Sequence, residues 1–105
     1  MENLYLVVKP QGQDDYENVW IDGRLTILRT HSTIIKQCWA ANDAGTDVFV
    51  HLASTNQVIA QVEIKQIRED IEPPEVYLMD WREMKQQAPG HPYGRGFYWA
   101  QHNPS

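Results

Sequence analysis

Residues 47–65 alternate in polarity on both sides of a short polar interruption, and few folds accommodate that pattern. Val48, Val50 and Leu52 share one side of the first run. Val58, Ala60, Val62 and Ile64 share one side of the second, with Gln61, Glu63 and Lys65 between them. A period of two is the pleat of a half-buried strand, and Ser54-Thr-Asn-Gln57 between the runs is turn chemistry. The pattern predicts an antiparallel hairpin whose apolar side chains enter a core.

The flanking segments extend this picture. Leu4-Tyr-Leu-Val-Val-Lys9 is an apolar, β-branched run stopped by Pro10 and reads as a buried strand. Asp14 and Glu17 have the spacing of a capping box, and Gly23 stands where a left-handed C′ glycine belongs. They predict a short helix over 15–22 with a positive φ at Gly23. Residues 24–30 resume β character. Ser32 can cap a second helix over 33–41, which Asn42-Asp43-Ala44-Gly45 ends. Pro73-Pro74 breaks the chain, and 76–79 reads as a strand. Asp80 and Glu83 repeat the capping-box spacing and predict a short helix through Gln87. Residues 88–94 hold two Pro and two Gly and read as a loop. Phe97-Tyr98-Trp99 marks a closing strand over 95–101. This order implies an α+β domain over 1–105: a small, mainly antiparallel sheet, curled or closed into a barrel, with two or three short helices.

Composition excludes several classes. The chain has 105 residues, enough for one core without staples. No apolar run approaches the ~18 residues that span a bilayer, and the N-terminus lacks the pattern of a signal peptide, so no membrane role and a cytoplasmic setting are expected. The single cysteine, Cys38, excludes an internal disulfide. It sits beside Ile35 and Trp39 on a predicted helix and reads as a buried thiol. Nine Lys and Arg against 14 Asp and Glu leave a net charge of −5, and the basic residues are scattered singly. A non-specific duplex binder normally shows a basic cluster instead.

Few residues carry a chemical signature. His31, His51, His91 and His102 have no metal-ligand spacing, so neither a metal nor a cofactor is expected. No phosphate loop, dinucleotide fingerprint or nucleophile elbow occurs. Glu63 falls on the outward face of its strand; beside Arg24 or Arg29 it would be a paired carboxylate, and beside an aromatic pocket an acid–base candidate. Four Trp and five Tyr supply rings that can fill the core or stack on a flat ligand.

The order of motifs resembles the ASCH branch of the PUA-like superfamily. The matching pieces are Leu6-Val-Val-Lys9-Pro10, Trp20-Ile-Asp22, Gly23-Arg-Leu-Thr-Ile-Leu-Arg29, the 47–64 hairpin, and Phe97-Tyr-Trp-Ala-Gln-His-Asn-Pro104. The resemblance implies a PUA-like fold with a cleft between the barrel and the first helix, suited to RNA or a modified nucleobase. It nominates Lys9, Arg24, Thr26 and Arg29 for binding, with Trp20, Trp39 or Trp99 as ring walls. Some members are amidohydrolases on acylated pyrimidine nucleosides, and their lysine falls on Leu25 here, while a nearby acid falls on Leu28. A leucine relays no proton. The expectation is therefore a non-catalytic binding domain for RNA or a nucleobase-like ligand, its site drawn from Lys9, Arg24, Thr26, Arg29, Glu63 and Trp99. The alternatives are a protein–protein module (an inhibitor, antitoxin or accessory protein) using an acidic aromatic surface, and a nucleoside amidohydrolase.

Overall fold

A computed structural model describes residues 2–8, 18–89 and 96–101 of the chain. Its elements run β1 (Asn3–Val8), β2 (Asn18–Ile21), β3 (Arg24–Arg29), α1 (Ser32–Ala44), β4 (Val48–Leu52), β5 (Gln57–Arg68), β6 (Glu75–Gln87) and β7 (Gly96–Ala100). The strands form one mixed sheet in the order β2-β3-β6-β5-β4-β1-β7. Only β1 and β4 run parallel; the other pairings are antiparallel.

The hairpin read from the alternation is β4–β5, with Val48 opposite Val62 and Val50 opposite Ala60. Val48, Val50 and Val62 are buried, and Ile64 is half-buried against the same core. The helix α1 covers one face of the sheet, packing on β1, β5 and β6. Ile35, Cys38 and Ala41, spaced at i, i+3 and i+6, are its buried stripe. They meet Leu4, Leu6, Val8, Val48, Val50, Val62, Val76 and Leu78 in the main core. Burial pushes the Cys38 thiol up to about 12.

A second, smaller core lies on the opposite face. Tyr5 is stacked between Phe49 and Tyr98, with ring centroids 5.0 and 4.9 Å apart. Val58 and Ala88 complete it, with Met84 packed alongside. Val58 joins this core while Ala60 joins the other, although two residues on one strand normally share a face. The register with β6 shifts between them, and shifts again between Gln61 and Glu63 and between Ile64 and Gln66. Such bulges bend the strands. The end of β6 accordingly reaches the second core through Met84, followed by Ala88.

Three sequence expectations are corrected. Residues 18–21, expected in a helix over 15–22, form β2. The Asp14–Glu17 capping box lies outside the described residues. Val19, Trp20 and Ile21 favour strands, and Asp22-Gly23 is a two-residue hairpin turn with φ of 52° and 75°. Gly23 thus has the expected positive φ, but as a hairpin residue rather than a helix cap. Residues 80–87, the third expected helix, belong to β6 and pair with β5, because a long strand partner outweighs a local capping signal. The sheet is open, with β2 and β7 as its edges, so no barrel closes among the described residues, which contain one helix. That helix starts one residue before the expected range and continues to Ala44, where Gly45 stops it at φ 66°.

Two substitutions test this architecture. Val62→Asp would place an unpaired charge in the main core and should cost roughly 3–5 kcal/mol, read as a fall in urea midpoint. An unchanged midpoint would remove the hairpin from the core. Gly23→Val meets no steric obstacle, since nothing lies within 4 Å of an added Cβ. Its cost is therefore purely the left-handed backbone, about 1–2 kcal/mol, and Gly23→Asn should cost less than Gly23→Val in the same assay.

Candidate functional site

The β2–β3 ribbon lies beyond the strands on which α1 packs. Its register steps from Val19 opposite Ile27 to Trp20 opposite Leu25, leaving Thr26 as the extra residue of a bulge. The Thr26 hydroxyl donates to the Val19 carbonyl at 3.0 Å and pins that bulge. The extra residue lets both Leu25 and Leu28 enter the main core. Asn18 and Trp20 stand opposite them and so share the helix-side face. Trp20 meets Trp81 of β6 edge-on, with centroids 6.1 Å apart and planes at 68°.

Two polar atoms at this corner are orphaned. Asn18 is only 8% exposed. Its Oδ1 and the Trp20 Nε1 are both buried, and neither has a hydrogen-bond partner among the described residues. A buried polar group left unsatisfied costs about 1–3 kcal/mol, so most such groups are paired. The corner thus holds an acceptor and a donor closed off from solvent over the core residues Leu25 and Leu28, and only the half-buried Trp20 and Trp81 reach the surface there.

Of the residues nominated from sequence, the ring wall Trp20 lies here, and the proposed binding set does not gather around it. Lys9 lies outside the described residues. Arg24 is exposed at the ribbon tip, next to the turn, and forms no ion pair among the described residues. Thr26 is committed to its bulge. Arg29 donates from Nε to Glu75 Oε2 at 2.8 Å, so its partner is Glu75 rather than Glu63. Trp99, on the far edge of the sheet, donates from Nε1 to Gln37 Oε1 at 2.7 Å and packs against the main core. Glu63 is exposed on β5. A hydrogen bond to Asp80 and repulsion from its charge hold the Glu63 carboxyl above the usual range, against the pull of Arg82. Asp80 occupies a left-handed conformation, φ 52°, at the β6 bulge.

Two polar assemblies were not legible in the sequence. Glu75 stands opposite Arg29 on one side and Arg68 on the other. Tyr77 donates its hydroxyl to Glu75 Oε1 at 2.7 Å. The tyrosine bond first, then the Arg29 guanidinium, hold the Glu75 carboxyl below the usual carboxylate range. His51 is fully buried, with Nδ1 2.6 Å from the Tyr98 hydroxyl and Nε2 2.7 Å from Asn56 Oδ1. Both imidazole nitrogens are engaged, which makes His51 a polar pin for the second core. The signal that finds such pairs is spatial, since Arg29 and Glu75 are 46 residues apart.

Among the described residues no three His, Cys, Asp or Glu side chains converge on a metal position. No helix there is long and apolar enough to cross a membrane. The chain matches no family model, no curated protein and no solved structure.

The Glu75 network has a pH signature. A carboxyl whose pKa is depressed by folding adds stability above its unfolded value and loses it as pH falls through the folded value. Glu75→Gln should therefore lower the urea midpoint at neutral pH, and the gap to the parent protein should narrow as pH falls below the ordinary glutamate range. A gap that stays constant with pH would mean that the ionised carboxylate is not what the fold uses.

Proposed function

We propose that this chain is a non-catalytic binding domain for a nucleobase-like ring, free or carried in single-stranded RNA, on a fold of PUA-like kind. The observation that carries the reading is the half-buried indole pair of Trp20 and Trp81, edge-on at 6.1 Å, where β6 meets the ribbon that also carries the exposed Arg24. A planar heterocycle stacks on indole surface of this kind whatever its sequence context.

Binding is favoured over amide hydrolysis by Leu25, which is 2% exposed and buried in the main core. It offers no proton and no access where hydrolysis would need a lysine. Arg24 supplies an exposed cation on the same ribbon for a phosphate, whereas Arg29 is held by Glu75. A protein-partner reading draws on Ile21 and Met79, which are 56% and 42% exposed. Both alternate away from the core-facing Trp20 and Leu78, on the face opposite α1.

The test is a titration of a mixed single-stranded RNA pool at low salt, followed by tryptophan fluorescence. Binding should weaken as salt rises, and Arg24→Ala should reduce the salt slope. Trp81→Ala should weaken binding by about 1–3 kcal/mol with the slope unchanged. No binding of RNA or of free bases at ~50 µM protein, well within the range of weak non-specific affinities, would favour the protein-partner reading.

A further inference from the structure

We infer that the sheet face opposite α1 is a self-complementary docking surface, on which a second copy of this chain pairs about a two-fold axis. The inference goes beyond the ring-binding reading, because Trp20 and Trp81 pack on the other face. It starts from strand alternation. Trp20 and Leu25 face the main core, so Ile21 and its cross-strand partner Arg24 point away from it. Leu78 faces the same core, so Met79 points away, and Glu63 stands opposite Met79 on β5. Val19, Ile27 and Tyr77, all half-buried, form one row across β2, β3 and β6. β2 and β6 both run antiparallel to β3 and so share a direction. Ile21 and Met79, two residues past Val19 and Tyr77, therefore belong to the next row, with Arg24 and Glu63 on the strands either side of β6.

That second row is unmatched in three respects. Ile21 and Met79 are the exposed large apolar side chains of the sheet, and an apolar patch continuous across strands marks an interaction site. Arg24 is exposed and forms no ion pair among the described residues. Glu63 and Asp80 are hydrogen-bonded to each other, which requires a shared proton, and their charges repel when both ionise. Arg82 attracts Glu63, yet closes no ion pair with either acid. The face thus offers a cation without an acid and two acids without a bound cation. A partner of one charge sign would leave one of these unmet. A second copy meets both, because in an isologous interface every contact of i with j is repeated as j with i. A half-turn about an axis along β6 lays Arg24 of each copy over Glu63 and Asp80 of the other and Met79 against its counterpart. Each carboxyl pair then receives a guanidinium in place of the shared proton, and Ile21 is covered beside Arg24.

The test is sedimentation equilibrium of the whole chain, free of RNA because Arg24 is also the cation offered to a phosphate, at neutral pH and ~0.15 M salt, where the net negative charge is screened. A patch of this size predicts a weak dimer, with Kd on the order of 100 µM. The average mass should therefore climb from monomer toward dimer between ~10 and ~500 µM protein. Arg24→Glu sets acid against acid in both symmetry-related contacts, and Glu63→Lys sets cation against cation. Each variant alone should associate at least about tenfold more weakly than the parent. Mixed in equal amounts, the two should associate again, because each contact then pairs opposite charges. Ile21→Lys, at an exposed apolar position of the row, should lower association in the same way and stands in if a charge variant fails to fold. A parent chain that stays monomeric to ~500 µM would overturn the inference without any variant. So would a dimer that Arg24→Glu leaves intact, or folded charge variants that fail to associate when mixed, since this interface alone requires them to pair.

Discussion

The antiparallel pairing of β5 with β6 is the contact on which the domain hangs. The β2–β3 ribbon joins the sheet only through β3 against β6, and β4, β1 and β7 join it only through β4 against β5. The two longest strands, 12 and 13 residues, are thus the hinge between both halves. Their bulges let one pair of strands serve two cores. Val76, Ala60 and Val62 face α1, while Val58 and Met84 face the tyrosine stack. A flat pair of that length would present one face to each core along its whole extent.

The two cores are built on different chemistry. The helix-side core is aliphatic and takes its definition from packing. The opposite core is aromatic and polar. Its stack of Phe49, Tyr5 and Tyr98 crosses three adjacent strands, and His51 locks the outermost ring through the Tyr98 hydroxyl. A buried network with every member bonded specifies one arrangement of strands, because a slip of one residue would strand each of its polar atoms. The Asn18–Trp20 corner is the opposite case: buried, polar and unsatisfied. Its cost is offset by the packing of the main core around it.

Sequence reading located what local rules determine. The β4–β5 hairpin followed from alternation, and α1 from an apolar stripe closed by glycine, although Ser32, expected as its cap, is the first helical residue and the N-cap His31 makes no side-chain cap bond. The failures came where one local signal serves two structures. Glycine after aspartate marks a helix end and a hairpin turn alike, since both require a positive φ, and only the strand preference of Val19, Trp20 and Ile21 separates them. Asp80 and Glu83 have capping-box spacing, yet the decisive fact for 80–87 is the presence of β5 alongside, which no window around Asp80 contains. At the site, Trp20 was visible as a ring. Asn18 was not, because nothing in an asparagine's neighbours along the chain says that its carbonyl will be buried without a donor. Arg29 looked available for a phosphate until Glu75 arrived from a distant strand.

Cys38 carries a practical consequence. It is the chain's only thiol, it lies at 0% exposure under α1, and its proton is held up to about 12. Alkylating reagents need both access and the thiolate. Neither exists while the helix rests on β1, β5 and β6. Modification then proceeds only through openings that lift α1 from the sheet, so the rate at which this sulfur reacts is a clock for breathing of the main core. The same seclusion shields the chain from oxidative cross-linking between copies, leaving a natural reporter that is silent in the closed state and needs no engineered label.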